Sequence, residues 1–263
     1  MSRESRAYRT EGIVLRRRNI GEADSIFVVF GEERGKFEGV ARGIRKARSR
    51  MRGHLEPLTF SRFLMARGRN LDVFTQAETV RSFPNVAADL DRWATASYLL
   101  ELVDRFTVEH APNRDLFHLL YASLESLDGG SAADLVPRYF ELHVLALTGF
   151  DVYLDGCAAC GGRLPPENTL VAAAAGGLVC RQCRPEAGTG RLLSVPAIKV
   201  LRHARRASLP EFVALRVPGA VVEELRAALG DFVRYHLERE LGTARFVEEL
   251  RASGSITAQN ADT

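Results

Sequence analysis

The apolar positions change their period near residue 80, and the change divides the chain. Before it, short runs are dense in β-branched and aromatic residues. "TEGIVLR" (Thr10 to Arg16), "DSIFVVF" (Asp24 to Phe30), "GKFEGVAR" (Gly35 to Arg42), "FSRFLMAR" (Phe60 to Arg67) and "LDVFTQAETV" (Leu71 to Val80) are each predicted to be a strand. The turns "GEERG" and "GRN" join neighbouring runs as hairpins. A long connection separates the third strand from the fourth. Five strands in so short a span predict a small barrel. The OB-fold is the five-stranded barrel that most often binds single-stranded nucleic acid, although an SH3-like barrel fits the same pattern. On the third strand, Lys36, Glu38, Val40 and Arg42 share one face, while Phe37, Gly39 and Ala41 share the other. The polar set is expected to face outward.

After "SFPN" the apolar residues recur every three to four positions, which predicts helices. Asn85, following Pro84, reads as an N-cap, and Asn113 caps a second helix that "DGG" stops. Pro137 predicts a kink or a late start in a third. Ser194 with Pro196 opens a fourth, and a long helix follows from Ala220. The tail "SGSITAQNADT" is small and polar, and is expected to be disordered. The fold class is therefore α+β. The expected units are an OB-fold barrel at 1–80, a helical bundle at 81–154, a cysteine-rich insert at 155–190, C-terminal helices packing on the bundle at 191–252, and a tail at 253–263.

Charge sharpens this division. The net charge of +3 conceals 17 basic and 10 acidic residues within 1–80, so the remainder is acidic. The connection between strands three and four reads "RGIRKARSRMRG". Arg42, Arg45, Lys46, Arg48, Arg50 and Arg52 are basic, and no acid lies between Glu38 and Glu56. Such a run is either a solvated loop or a polyanion site. Lys36 and Arg42 would extend it into a surface. A second basic stretch, "KVLRHARRA", places Lys199, Arg202, Arg205 and Arg206 at helical spacing. A solvated helix face explains that stretch slightly better than a ligand does. Of Phe27, Phe37, Phe60, Phe63 and Phe74, most are expected in the core rather than available to stack on bases.

All four cysteines fall in "GCAACGG" and "GLVCRQC". Cys157 and Cys160 form one C-x2-C, Cys180 and Cys183 form the other, and nineteen residues separate the pairs. Two such turns can supply the S4 set of a structural Zn²⁺ site with no open coordination position. The segment between is poor in large apolar residues, so a metal would supply much of its folding energy. "MSRESRAYRTEG" has no apolar core of a secretory signal, and no apolar run is long enough to span a bilayer. A cytoplasmic protein is expected, with no membrane association. Catalytic patterns are missing. "GEERGKF" has three residues between its glycines and Phe37 where a phosphate loop needs Ser or Thr. His118 and His143 lie in helical, apolar stretches and read as packed residues. No enzyme is expected.

Together, the opening "TEGIVLRRRNIGEADSIFVVFGEERGKFEGVARGIRK", the helical middle and the C-x2-C pairs resemble the bacterial RecO family of DNA repair and recombination mediators. The resemblance spans nearly the whole chain. It is most specific in the first fifty residues and at the cysteines. It implies binding to single- and double-stranded DNA and annealing of complementary strands. It also implies work with RecR to load RecA onto DNA coated by single-strand-binding protein, whose C-terminal tail would be contacted, in a nucleoid-associated setting. Lys36, Arg42, Arg45 and Lys46 become the best candidates for DNA contact, and the four cysteines match that family's zinc site. A zinc-containing RNA-binding or ribosome-associated protein is the competing reading.

Overall fold

The computed structural model describes residues 6–130 and 133–237. The expected tail, and the end of the last predicted helix, lie outside the described residues. Five strands, β1 (Ala7–Ile20), β2 (Asp24–Gly31), β3 (Gly35–Ala41), β4 (Phe60–Ala66) and β5 (Asp72–Arg81), close into a barrel in the order β1-β2-β3-β5-β4. All neighbours are antiparallel except β3 and β5, which pair in parallel through Gly39–Asp72 and Val40–Val73. This is the Greek-key barrel of an OB-fold.

β2 is apolar without alternation because both of its faces are buried. Phe27 and Val29 point into the barrel core with Val14, Phe37, Phe63, Met65 and Phe74. Val28 and Phe30 point the other way, with Ile13 and Leu15 of β1, into the core of the helical part. The two parts are therefore joined by a strand pair that serves both cores. Phe117 sits 6.3 Å from Phe30 and 5.9 Å from Phe60 across this junction. β1 makes it possible with a bulge between Val14 and Arg16. Leu15 and Arg16 fall on the same face there, so every later side chain of β1 changes sides.

The helical part contains α1 (Pro84–Ala88), α2 (Leu90–Phe106), α3 (Arg114–Asp128), α4 (Leu135–Leu147), α5 (Val195–Ala204), α6 (Leu209–Val213) and α7 (Gly219–Leu237). A three-stranded sheet of β6 (Thr169–Ala172), β7 (Gly177–Val179) and β8 (Arg191–Leu193) lies between α4 and α5 in the chain, with β6 central. Asn113 caps α3 by accepting from the Leu116 amide at 3.0 Å, and Ser194 caps α5 through the Ala197 amide at 3.3 Å. Pro137 stands in the first turn of α4, so the helix starts late and does not kink.

Asn85 is not the cap expected of it. Phe83 precedes α1, and Asp89, in extended backbone, caps α2 through the Asp91 and Arg92 amides. Asn85 instead donates to the Asp128 carbonyl at 3.0 Å. The Asp128 carboxylate in turn accepts from the Asn85 and Val86 amides at 2.8 and 3.2 Å. The start of α1 is thus satisfied by the end of α3.

Beneath the helices, Arg138 and Glu141 form a buried pair at 3.0 Å, and the Tyr98 hydroxyl donates to Glu141 at 2.8 Å. Burial and the neighbouring carboxylate hold the Tyr98 hydroxyl protonated, well above the usual phenol range. We expect Glu141→Leu to cost about 3–5 kcal/mol by stranding a buried guanidinium, whereas Glu141→Leu with Arg138→Met returns most of that loss. Urea unfolding of both variants checks this, and equal stabilities would refute it.

The β2–β3 turn docks on the helical part. Gly35 has φ +65°, and a Cβ there would lie 2.2 Å from the Ala111 carbonyl oxygen. Gly21 has φ +54° with nothing near it. Gly21→Ala should therefore cost only the left-handed backbone penalty of about 1 kcal/mol. Gly35→Ala should cost at least about 2 kcal/mol more, because main chain must move. Urea midpoints at constant m-value measure the difference.

Candidate nucleic-acid interface and metal centre

The β3–β4 connection is a succession of turns anchored at both ends. Ile44 and Leu55 plug into the barrel core. The Gly43 amide donates to Asp24 at 2.7 Å, and the Arg45 amide donates to the Ala23 carbonyl at 2.9 Å. A 3-10 turn at Arg52–His54 closes the segment, with the His54 carbonyl accepting from Ser61 at 2.8 Å. Arg42, Arg45, Lys46, Arg48, Arg50 and Arg52 are all exposed. Among the described residues, none of them lies within ion-pair distance of a carboxylate. Arg45 alone spends a donor, giving an Nη1 hydrogen bond of 3.1 Å to the Gly21 carbonyl. The loop is therefore a scaffolded group of cations with most of its donors facing water.

Arg17, Asn19, Phe27, Ile44, Arg45 and Arg52 line a hollow of about 250 Å³ beside the loop. Arg17 reaches it because the β1 bulge turns it to the inner face, opposite Phe27. Its Nη1 lies 3.2 Å from Glu56. Three guanidinium groups and an amide around one hollow suit an oxygen-rich anion such as a phosphodiester. Sequence reasoning missed Arg17. The run Arg16–Arg18 was its signal, but three adjacent arginines on a strand point to different faces, and only the bulge decides which.

Lys36 does not belong to this surface. Its ammonium bonds the carbonyl and, at 3.3 Å, the carboxylate of Asp104 on α2. Arg16 reaches the same carboxylate at 2.6 Å. The outer face of β3 is thus turned to the helices at Lys36, and only Arg42 continues the loop surface. OB-folds often bind strands across the face of their second and third strands. Here Val28 and Phe30 on that face are covered. Phe27, Phe37, Phe63 and Phe74 are buried, and Phe60 packs on Phe117 and Tyr121. These five phenylalanines therefore form no exposed base-stacking platform.

The second basic stretch is largely engaged. Arg202 Nε donates to the Leu154 carbonyl at 2.8 Å. Arg205 donates to the Val152 carbonyl at 2.7 Å and pairs with Asp151, while Arg206 lies 3.5 Å from Asp155. These side chains clamp residues 151–155 onto α5, and Lys199 stays exposed. Of the histidines, His143 stacks on Tyr139 at 4.0 Å and bonds its carbonyl. His118 is exposed rather than packed, 3.4 Å from Glu32.

The four cysteine sulfurs lie within 4.8 Å of one another. Cys160 and Cys180 are 3.9 Å apart, too far for a disulfide. A tetrahedron with bonds of about 2.3 Å places its sulfurs about 3.8 Å apart, so the donor set fits one four-coordinate ion. Burial raises the Cys157 thiol. The amides of Cys180, Cys160 and Ala159 outweigh burial and hold it down at about 6. Against the sulfurs of Cys180 and Cys160, the Cys183 thiol is pushed up to about 12. Four thiolates at this spacing repel unless a cation sits among them. Around them, Cys157, Leu170, Ala172, Val179 and Ala187 form a core of their own. It is small, as the apolar-poor sequence implies. β8 attaches this unit to α7, with Arg191 on Asp231.

Comparison with known proteins adds ancestry to this geometry. Residues 1–83 match the family model for the N-terminal part of recombination protein O, and residues 87–245 match that for its C-terminal part. The chain is 35% identical over 246 residues to the DNA repair protein RecO of Desulforamulus reducens, covering 94% of this chain and 96% of that one. It is 37% identical to the DNA repair protein RecO of a Roseiflexus species, covering 94% and 87%. With that of Rubrobacter xylanophilus the identity is 38%, covering 88% and 90%. Full-length similarity of this order, on a barrel-and-helix fold with clustered cysteines, leaves one conclusion: the chain belongs to the RecO family of DNA repair proteins.

Proposed function

We propose that this protein is a recombination mediator that acts by binding DNA, without covalent chemistry. In this reading it binds single- and double-stranded DNA and anneals complementary strands. With RecR, it helps load RecA onto DNA coated by single-strand-binding protein, whose C-terminal tail it contacts. Its place of work is the cytoplasm, on the nucleoid; no helix among the described residues is long and apolar enough to cross a membrane. The barrel at 1–80 is the DNA-binding domain. The described helices of 81–154 and 191–252 are its support, the part beyond Leu237 lying outside the described residues, and 155–190 are the metal-binding insert.

One observation carries this reading: six exposed cations on a loop held by Ile44 and Leu55, with no acid in pairing distance among the described residues. Like charges held at fixed spacing repel one another, and a phosphate backbone relieves that repulsion while releasing its counterions. Annealing follows from the same physics. A protein that screens the phosphates of two strands lowers their mutual repulsion and lets base pairing proceed.

Fluorescence anisotropy of a labelled single strand, read at several salt concentrations, tests the loop. Each neutralised phosphate contributes about −0.7 to the slope of log K against log salt. Changing Arg45, Lys46, Arg48 and Arg50 to alanine should therefore flatten the slope by about 3 and slow annealing of complementary oligonucleotides. An unchanged slope and annealing rate would remove the loop from the mechanism.

The metal in this reading is one Zn²⁺ held by Cys157, Cys160, Cys180 and Cys183. It fills its coordination shell with sulfur and supports the fold. Purified protein should contain about one zinc per chain. Cys157→Ser, or a strong chelator, should release it, lower the melting temperature and open residues 156–190 to proteolysis, with the salt slope of DNA binding unchanged. Zinc-free protein with full stability and protease resistance would contradict this role.

A further inference from the structure

The polar groups that line the hollow beside the basic loop present only donors. Arg17 and Arg45 each engage one terminal nitrogen, Nη1, on Glu56 at 3.2 Å and on the Gly21 carbonyl at 3.1 Å. Among the described residues, their Nη2 and Nε groups are left over, and the exposed Arg52 side chain meets no partner at all. Asn19 Oδ1 already accepts from the buried Ser25 hydroxyl at 2.9 Å, so the free end of that amide is its Nδ2 donor pair.

The hollow is also closed at its base. Phe27 and Ile44, 1% and 3% exposed, form the floor and belong to the barrel core. Arg17 and Asn19 of β1 stand at its sides with Arg45 and Arg52 of the loop. A ligand enters from solvent and stops at the floor. Positive charge stays in excess when every acid of the surrounding chain is counted. Residues 17–24 and 42–56 hold eight Arg and Lys against Glu22, Asp24 and Glu56. Asp24 is engaged by the Gly43 amide at 2.7 Å and Glu56 by Arg17, and Glu22 lies exposed in the β1–β2 turn.

These features separate the end of a strand from its middle. An internal phosphodiester carries one negative charge and two free oxygens, between two nucleosides that must both stay above the floor. A terminal phosphate monoester carries nearly two charges at neutral pH and three acceptor oxygens, and it enters end-on. Guanidinium edges grip such oxygens in pairs. We propose that this hollow is a strand-end site, which takes the terminal phosphate monoester of a single strand. The inference rests on the DNA-binding reading above and deepens it. Arg42, Lys46, Arg48 and Arg50 stay outside the hollow and neutralise phosphates further along the same strand. A strand gripped at its end lies on the loop with one polarity, and complementary strands pair only antiparallel.

The test uses the full chain and three internally labelled strands of one sequence, each about 16 nucleotides long. One carries a 5′-phosphate, one a 3′-phosphate, and one hydroxyls at both ends. Anisotropy at one moderate salt concentration should show at least one phosphorylated strand binding about tenfold more tightly than the hydroxyl strand. Arg52→Gln breaks no side-chain contact among the described residues and should remove most of that preference. Adding Arg17→Gln should remove the rest. Arg48→Gln with Arg50→Gln should weaken all three strands alike and keep the preference. Equal affinity for the three strands, or a preference unchanged in both Arg52 variants, overturns the proposal. So does a deoxynucleoside monophosphate that erases the preference at micromolar concentration, because the ligand is then a free nucleotide. Salt-dependent binding of all three strands at equal affinity leaves the DNA-binding reading standing, whereas no salt-dependent binding of any strand defeats both.

Discussion

β2, with Ile13 to Leu15 of β1, is buried on both faces, and most of the architecture follows from that constraint. A free-standing barrel would show solvent the outer side of Val28 and Phe30. Here that side forms part of the helical core. Double-sided burial explains why β2 is apolar at consecutive positions. It also explains why the turn at Gly35 must approach the Ala111 carbonyl so closely. It also removes the face on which an OB-fold would lay out bases, so the connections between strands become the places where a ligand can meet the barrel.

The cations divide accordingly. Arg16, Lys36, Arg202 and Arg205 each meet a carboxylate or a main-chain carbonyl and join one segment to another. They add rigidity and have few donors to spare. The loop cations are kept away from acids instead, and their repulsion is offset locally by two apolar plugs. The cysteine cluster that could hold a metal is separate again. Its small core is its own, and it is attached to the helical part by Arg191 on Asp231 and by Val171, Leu178 and Leu193 in the helical core.

Much of this was legible in the sequence, for local reasons. Alternation, glycine turns and β-branched runs marked all five barrel strands, and the cysteine spacing marked the metal centre. The misses have local reasons too. The strand reading of β1 stopped at Arg16 because the polar stretch to Ile20 pairs with β2 without any apolar signature. β6 and β7 lie in an alanine-rich run with weak strand preference. α6 was announced by a capping box, in which Ser208 and Glu211 bond each other's backbone, but five residues make too short a period to notice. The engagement of Lys36 depends on Asp104, sixty-eight residues away, and no local pattern carries such information.

The bulge at Leu15 has a consequence for how this family can vary. It acts as a phase shift within a single strand. Upstream of it, the frame of β1 is set by Val14 in the barrel; downstream, it is set by Arg16 on Asp104 and Arg17 in the hollow. One residue gained or lost between Gly12 and Arg16 would leave composition and charge almost untouched. It would nevertheless exchange the partners of every side chain beyond, sending a guanidinium toward the core and a leucine toward water. Substitutions along β1 can therefore accumulate one by one, whereas a change in its length is an all-or-nothing event.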